Sequence, residues 1–185
     1  VTTAVELPHT WNARDGQDGG NDYWRGCCTY CTRFAAPVYD PAQQQVWLQF
    51  EGVNASAAVL LNGQQLCTHD GGYSTFRAEV TELLQAENQL TVRVDNSVND
   101  RVYPQKADFT FYGGIYRDVS LLVVNKNHIA LGHFGDTGVK ITPALQENSA
   151  DIRVETLVEG SGTVTVELLD AEGRTAAKGE GENTF

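Results

Sequence analysis

The sequence predicts an all-β protein, on three observations. Apolar side chains recur at every second position over most of the chain, which is the pattern of a strand with one buried face. An Asn-Gly pair, Asn62-Gly63, sits between two apolar runs, and a type I′ hairpin needs positive φ at both of its central residues. Only "VTELLQAEN" has a helical texture, with Thr81 placed to cap a turn or two. Many short strands with almost no helix indicate a β-sandwich or jelly roll.

The elements follow in order. "GCCTYCTRF" reads as a strand, and "QVWLQFEGV" then places Val46, Leu48 and Phe50 on one face. "AVLLNGQQLC" is the hairpin, and "HDGGYSTF" is a turn feeding a strand whose aromatics pack inward. "QLTVRVDN" aligns Leu90, Val92 and Val94, and "VSLLVV" sets Val119, Leu121 and Val123 against Leu122 and Val124. Near Asn125 the texture changes to a polar, glycine-bearing link, "NKNHIALGHFGDTG". Beyond it lie the strand-like runs "GVKITPAL", "DIRVETLVEG" and "GTVTVELLD", then the turn "DAEGR". The expected organisation is a jelly-roll domain over residues 1–126 and a partial immunoglobulin-like sandwich over 127–185. Such a sandwich usually takes ~100 residues, so the chain is expected to stop inside it.

Composition narrows the function. A net charge of −11 argues against nucleic acid and anionic membrane surfaces as partners. The longest apolar run, "AAVLL" at 57–61, is far too short to span a bilayer. The chain starts at Val1 and has no methionine, so it is expected to be processed or cut. Cys27 and Cys28 would point to opposite faces of their strand, and Cys27 and Cys31 would lie ~13 Å apart along it. Neither pair can close a disulfide or share a metal, which leaves Cys67 or His69 as a cross-strand partner. Buried free thiols are expected, fitting a reducing, cytoplasmic setting. "RDGQDGGND" at 14–22 has oxygens enough for calcium but lacks the spacing of a calcium loop. His9, His69, His128 and His133 show no metal spacing. No metal or cofactor is implied.

Four segments, "LPHTWN", "FEGVNASAAVLLNGQQLCTHDGGYSTFRAEVTELL", "ENQLTVRVDN" and "FYGGIYRDVSLLVV", stand in an order and spacing that resembles the N-terminal sugar-binding domain of glycoside hydrolase family 2. That family includes β-galactosidases, β-glucuronidases and β-mannosidases. The resemblance is close over residues 5–125 and looser over 127–185, where an immunoglobulin-like domain follows in the family. The chain departs from the family's usual Trp-Tyr-Arg strand, reading "YWRGCCTYC" there. The resemblance implies a parent that is a retaining exo-glycosidase of the β-galactosidase type. Its two catalytic glutamates would lie in a TIM barrel beyond this chain, so no residue here is expected to be catalytic. The partners it implies are a terminal β-linked sugar, the barrel and a homo-oligomer in the parent. An autonomous lectin-like module and a purely structural domain are the alternatives.

The resemblance also points to two substrate-binding residues. Asp108 stands where family members carry an aspartate whose loop reaches the sugar pocket, and a carboxylate accepts two hydrogen bonds from neighbouring hydroxyls. Asn12 is placed to match a second sugar-contacting asparagine that β-galactosidases carry in this domain, with an ordinary turn residue ahead of "ARDG" as the alternative. Trp11, Tyr23, Trp24, Phe109, Phe111 and Tyr112 lie near these groups in sequence and could stack on a sugar, although rings in a sandwich more often belong to its core. Gly113 and Gly114 are expected to need positive φ or close backbone approach. Arg117 and Asp118 are expected to form an ion pair.

Overall fold

Alternation in the sequence becomes extended chain in the computed structural model, which describes residues 2–15, 23–104 and 107–182. The first part holds β1 (Cys27–Ala35), β2 (Gln44–Phe50), β3 (Val53–Asn54), β4 (Ser56–Leu61), β5 (Gln64–Asp70), β6 (Phe76–Glu79), β7 (Glu87–Asp95), β8 (Gly114–Ile115) and β9 (Val119–Asn125). One sheet has the order β1-β7-β4-β5, a second β6-β2-β9, and β3 pairs with β8. β1-β7, β7-β4, β4-β5 and β2-β6 pair antiparallel, and the two sheets face each other across one core into which β2, β4 and β7 bury alternate side chains. Val46, Leu48 and Phe50 meet Val59, Leu61, Leu90, Val92 and Val94 in that core. The Phe50 and Phe76 rings stack with centroids 4.7 Å apart, and His69 lies on Phe76 at 4.3 Å. Each such apolar side chain contributes about 1.5–3 kcal/mol on full burial. Tyr73, expected to point inward with Phe76, is instead 57% exposed on the turn that precedes the strand.

The hairpin forms as expected, with Asn62 at φ 53° and Gly63 at φ 83°. Asn62 also joins the hairpin to its surroundings. Its Nδ2 donates to the Leu83 carbonyl at 2.9 Å and to Asn88 Oδ1 at 3.0 Å, and its Oδ1 accepts from the Gln89 amide at 2.9 Å.

Two local expectations are corrected. The helical stretch is a single 3-10 turn, Thr81–Leu83, and Thr81 does not cap it. The chain turns extended again at Leu84. The Thr81 hydroxyl accepts the Val46 amide at 2.9 Å, so it serves the start of β2 instead. The cysteines are free, but Cys27 and Cys31 are exposed while Cys28 and Cys67 are half-buried. Edge strand β1 turns Cys27, Thr29 and Cys31 outward and Cys28 and Tyr30 inward. Cys67 and His69 cannot partner the β1 cysteines, because β5 is the opposite edge, three strand spacings or ~14 Å away. Burial pushes the Cys67 thiol up to about 11 and also raises Cys28, which has Cys27 beside it.

The contact boundary falls between Val123 and Val124, slightly before the expected one. The second unit holds β10 (His128–Ile129), β11 (Val139–Leu145), β12 (Ala150–Thr156), β13 (Val158–Glu159), β14 (Thr163–Leu169) and β15 (Thr175–Glu182). They pair as β10-β13, β11-β12 and β14-β15. The "DAEGR" turn forms, with the Gly173 amide donating to the Asp170 carbonyl at 3.0 Å. Ala130 and Val158 are buried in this unit, whereas Ile141 is 63% and Leu145 82% exposed. Among the described residues no helix is long and apolar enough to cross a membrane.

Gly63 has open space where a Cβ would stand, so Gly63→Ala tests the backbone requirement alone. It is expected to lower unfolding free energy by about 1–2 kcal/mol in urea titrations, the cost of a left-handed residue with a side chain. An unchanged midpoint would mean that the turn relaxes without loss.

Candidate functional site

The loop that joins β7 to β8 carries Asp108, and its tail is pinned at successive residues. Asn96 Nδ2 donates to the Phe111 carbonyl at 3.1 Å, and Asn54 Nδ2 donates to the Tyr112 carbonyl at 2.6 Å. The Gly113 amide donates to Asn12 Oδ1 at 2.7 Å. The Gly113 carbonyl accepts from Thr10 Oγ1 at 2.7 Å and from the Trp11 amide at 3.3 Å. One step further, the His9 amide donates to the Ile115 carbonyl at 2.7 Å. The N-terminal segment thus runs beside 113–115 and closes the end of the sandwich.

Asn12 and Asn96 sit at the centre of this arrangement, both with 0% exposure. Asn96 Nδ2 donates to Asn12 Oδ1 at 3.2 Å, while Asn96 Oδ1 accepts the Gly26 amide at 2.8 Å. Asn12 Nδ2 donates to Asp15 Oδ2 at 2.7 Å and to the Trp24 carbonyl at 2.8 Å. Burying an amide is costly unless its polar atoms are bonded, and here both side chains have their hydrogens and oxygen engaged. The structure therefore places Asn12, expected as a sugar contact, beneath the surface. It has no exposed atom to offer a hydroxyl, and it holds the loop backbone instead.

Asp108 is exposed and has no hydrogen-bond or ion-pair partner among the described residues. Next to it, Phe109 is 53% exposed, its ring 5.0 Å from that of Phe111. Phe111 is buried and lies over the Arg25 guanidinium at 5.5 Å, and Arg25 Nε donates to the Asn96 carbonyl at 2.7 Å. Trp24 is half-exposed and meets the half-buried Trp11 edge-on at 5.8 Å. Tyr112 is exposed and Tyr23 half-buried. Of the six candidate rings, Trp24, Phe109 and Tyr112 thus offer surface, and Phe111 belongs to the packing. No hydrogen bond joins Asn12 to Asp108; Asn12 meets the tail of the loop at Gly113, and through Asn96 at Phe111.

Gly113 and Gly114 need glycine for different reasons. A Cβ on Gly113 would collide with the Trp11 ring and stand 2.7 Å from Asn96 Nδ2. Gly114 has φ 138°, and a Cβ there would strike the His9 carbonyl. The expected Arg117–Asp118 ion pair does not form. Arg117 donates instead to the Glu51 and Tyr73 carbonyls at 3.3 and 3.1 Å, and it lies over the Tyr116 ring at 5.3 Å.

A second tie holds the loop from the side. Arg101 Nε bonds Asp70 Oδ2 at 2.9 Å, and Ser56 Oγ donates to Asp70 Oδ1 at 2.5 Å. The Ser56 hydroxyl first, and then Arg101, hold the Asp70 carboxyl below its ordinary value of 3.8 against a burial effect that raises it. Of the calcium-like stretch 14–22, residues 16–22 lie outside the described residues, and Asp15 accepts from Asn12 Nδ2 and the Trp24 amide. Among the described residues no three His, Cys, Asp or Glu side chains group as metal ligands. A cavity of about 1040 Å³ opens between the hairpins of the second unit, lined by Ile152, Val154, Val164 and Val166, and shares no residue with the loop.

Sequence reasoning missed Asn96, Asn54 and Thr10. For Asn96 a signal existed: it continues the inward phase of Leu90, Val92 and Val94, so an amide there had to be buried and bonded.

Two predictions follow from this geometry. Gly113→Ala should destabilise the chain by about 1–3 kcal/mol or more through overpacking, and should shift tryptophan fluorescence because Trp11 must move. A depressed carboxyl stabilises above its unfolded pKa and loses that stability as pH falls through its folded pKa. Asp70→Asn should therefore lower stability at pH 7 and approach the parent chain near pH 3 in parallel urea titrations; an equal gap at both pH values would refute the linkage.

Residues 20–144 match the family model for glycosyl hydrolase 2 galactose-binding domain-like proteins. The Bacteroides fragilis protein named beta-glucuronidase is 33% identical over 189 residues, covering 98% of this chain and 27% of its own length. A beta-galactosidase from Thermoanaerobacter pseudethanolicus is 32% identical over 139 residues, covering 70% of this chain and 18% of its own. The crystal structure of an FMN-binding beta-glucuronidase from Facaelibacterium prausnitzii superposes with a TM-score of 0.87 at 36% identity, over 96% of this chain and 28% of that one. The chain thus spans 18–28% of the length of these relatives.

Proposed function

The chain belongs to the glycosyl hydrolase 2 family through its galactose-binding domain-like module, and we propose that it forms one wall of the sugar pocket in a retaining β-glycosidase. The relatives are named beta-glucuronidases and beta-galactosidases, so the ligand class in this reading is a terminal β-linked hexose or hexuronic acid. One observation carries the proposal: Asp108 is an exposed carboxylate without a partner among the described residues, on a loop whose tail is fixed. A carboxylate so placed can accept hydrogen bonds from two neighbouring hydroxyls, and the exposed face of Phe109 beside it suits the apolar face of a sugar ring.

In this reading hydrolysis is carried by a separate barrel domain. A retaining mechanism uses two carboxyl groups ~5 Å apart, one as nucleophile and one as acid and then base. The present chain supplies binding and shape, and residues 127–185 form the immunoglobulin-like element that follows the jelly roll.

In the intact glycosidase, Asp108→Asn is expected to lower kcat/KM by roughly 10- to 100-fold, the loss of charge-assisted hydrogen bonds, with thermal stability unchanged. The isolated chain is expected to show no amide shifts when titrated with galactose, glucuronate or mannose followed by NMR. An unchanged kcat/KM would remove Asp108 from the pocket. Millimolar binding by the isolated chain would make it an autonomous lectin-like module.

A further inference from the structure

We propose that Asn96, Thr10 and Asn54 are positioning residues that set where Asp108 stands, an inference that rests on the reading of Asp108 as the sugar contact. The three come from different parts of the sandwich: Asn54 from β3, Asn96 from the residue after β7, and Thr10 from the N-terminal segment. Each holds a carbonyl at one of three successive positions, Phe111, Tyr112 and Gly113. Three different parts of the sandwich thus hold three successive carbonyls of the segment.

The path from this anchor to Asp108 is short and packed. Asn96 fixes the Phe111 carbonyl, Phe111 sits buried over Arg25, and Arg25 is itself bound to the Asn96 carbonyl. The Phe111 ring meets Phe109 at 5.0 Å, and Phe109 is the residue next to Asp108. Upstream, the loop is held by the Arg101–Asp70 pair, whose partners are half-exposed at 58% and 42%. Exposed pairs of that kind are weak, so the buried amides govern the loop's place.

The test is a double-mutant cycle in the intact glycosidase. Asn96→Asp keeps the size and the acceptor for Gly26 but sets a carboxylate oxygen against the Phe111 carbonyl and Asn12 Oδ1. It should lower kcat/KM by roughly tenfold when Asp108 is present and by less than about threefold in an Asp108→Asn background, because the two act as one unit. The loss should shrink as pH falls, since a protonated carboxyl regains one donor. Should Asn96→Asp fail to fold, the milder Thr10→Val, which removes one of two donors to the Gly113 carbonyl, is put through the same cycle. Equal fold-losses in both backgrounds would reduce these residues to structural ones and overturn the inference. An Asp108→Asn enzyme with full kcat/KM would instead overturn the pocket-wall reading itself, and the positioning inference with it.

Discussion

One buried contact, Asn96 Nδ2 to Asn12 Oδ1, joins the segments on which the end of the sandwich depends. Around it the N-terminal segment, the end of β7 and the tail of the Asp108 loop converge without a regular ladder to satisfy their backbones. Buried peptide groups need partners, and side-chain amides supply them here. The same junction explains Gly113: with Trp11 and Asn96 drawn this close, there is no volume for a Cβ. Removing either asparagine would leave several buried groups unpaired at once, which is more damaging than losing a single bond.

The sandwich was largely legible in the sequence because its strands are half-buried, and half-burial writes itself as period two. Val46, Leu48 and Phe50, and again Leu90, Val92 and Val94, are buried as their spacing implies. The hairpin was legible because its turn admits few residue types. What escaped was decided by contacts distant in sequence. Thr81 has a capping residue's chemistry, but β2 lies close enough to take its hydroxyl. The β1 cysteines look like core residues until strand order makes β1 an edge. β15 has almost no apolar pattern and is strand because β14 pairs with it.

The candidate site was legible only in part. Asp108 stood out through resemblance, and it is exposed with no partner among the described residues. Asn12 was read as a sugar contact, and its side chain is buried on the Gly113 amide, because a sequence does not say whether an asparagine looks outward or inward. Asn96 carried a readable clue: a strand whose inward positions run Asn88, Leu90, Val92, Val94 and Asn96 places a polar side chain at each end of an apolar row. Those ends are where a strand leaves its sheet and its neighbours must be satisfied by something other than a ladder.

The fixed tail of the Asp108 loop has an entropic consequence. Ordering a residue's backbone costs roughly 1–2 kcal/mol, and a loop that orders only on meeting its ligand subtracts that from affinity. Here residues 111–113 are ordered when the sandwich folds. In the pocket-wall reading, that ordering cost is met when the sandwich folds and not when the sugar arrives.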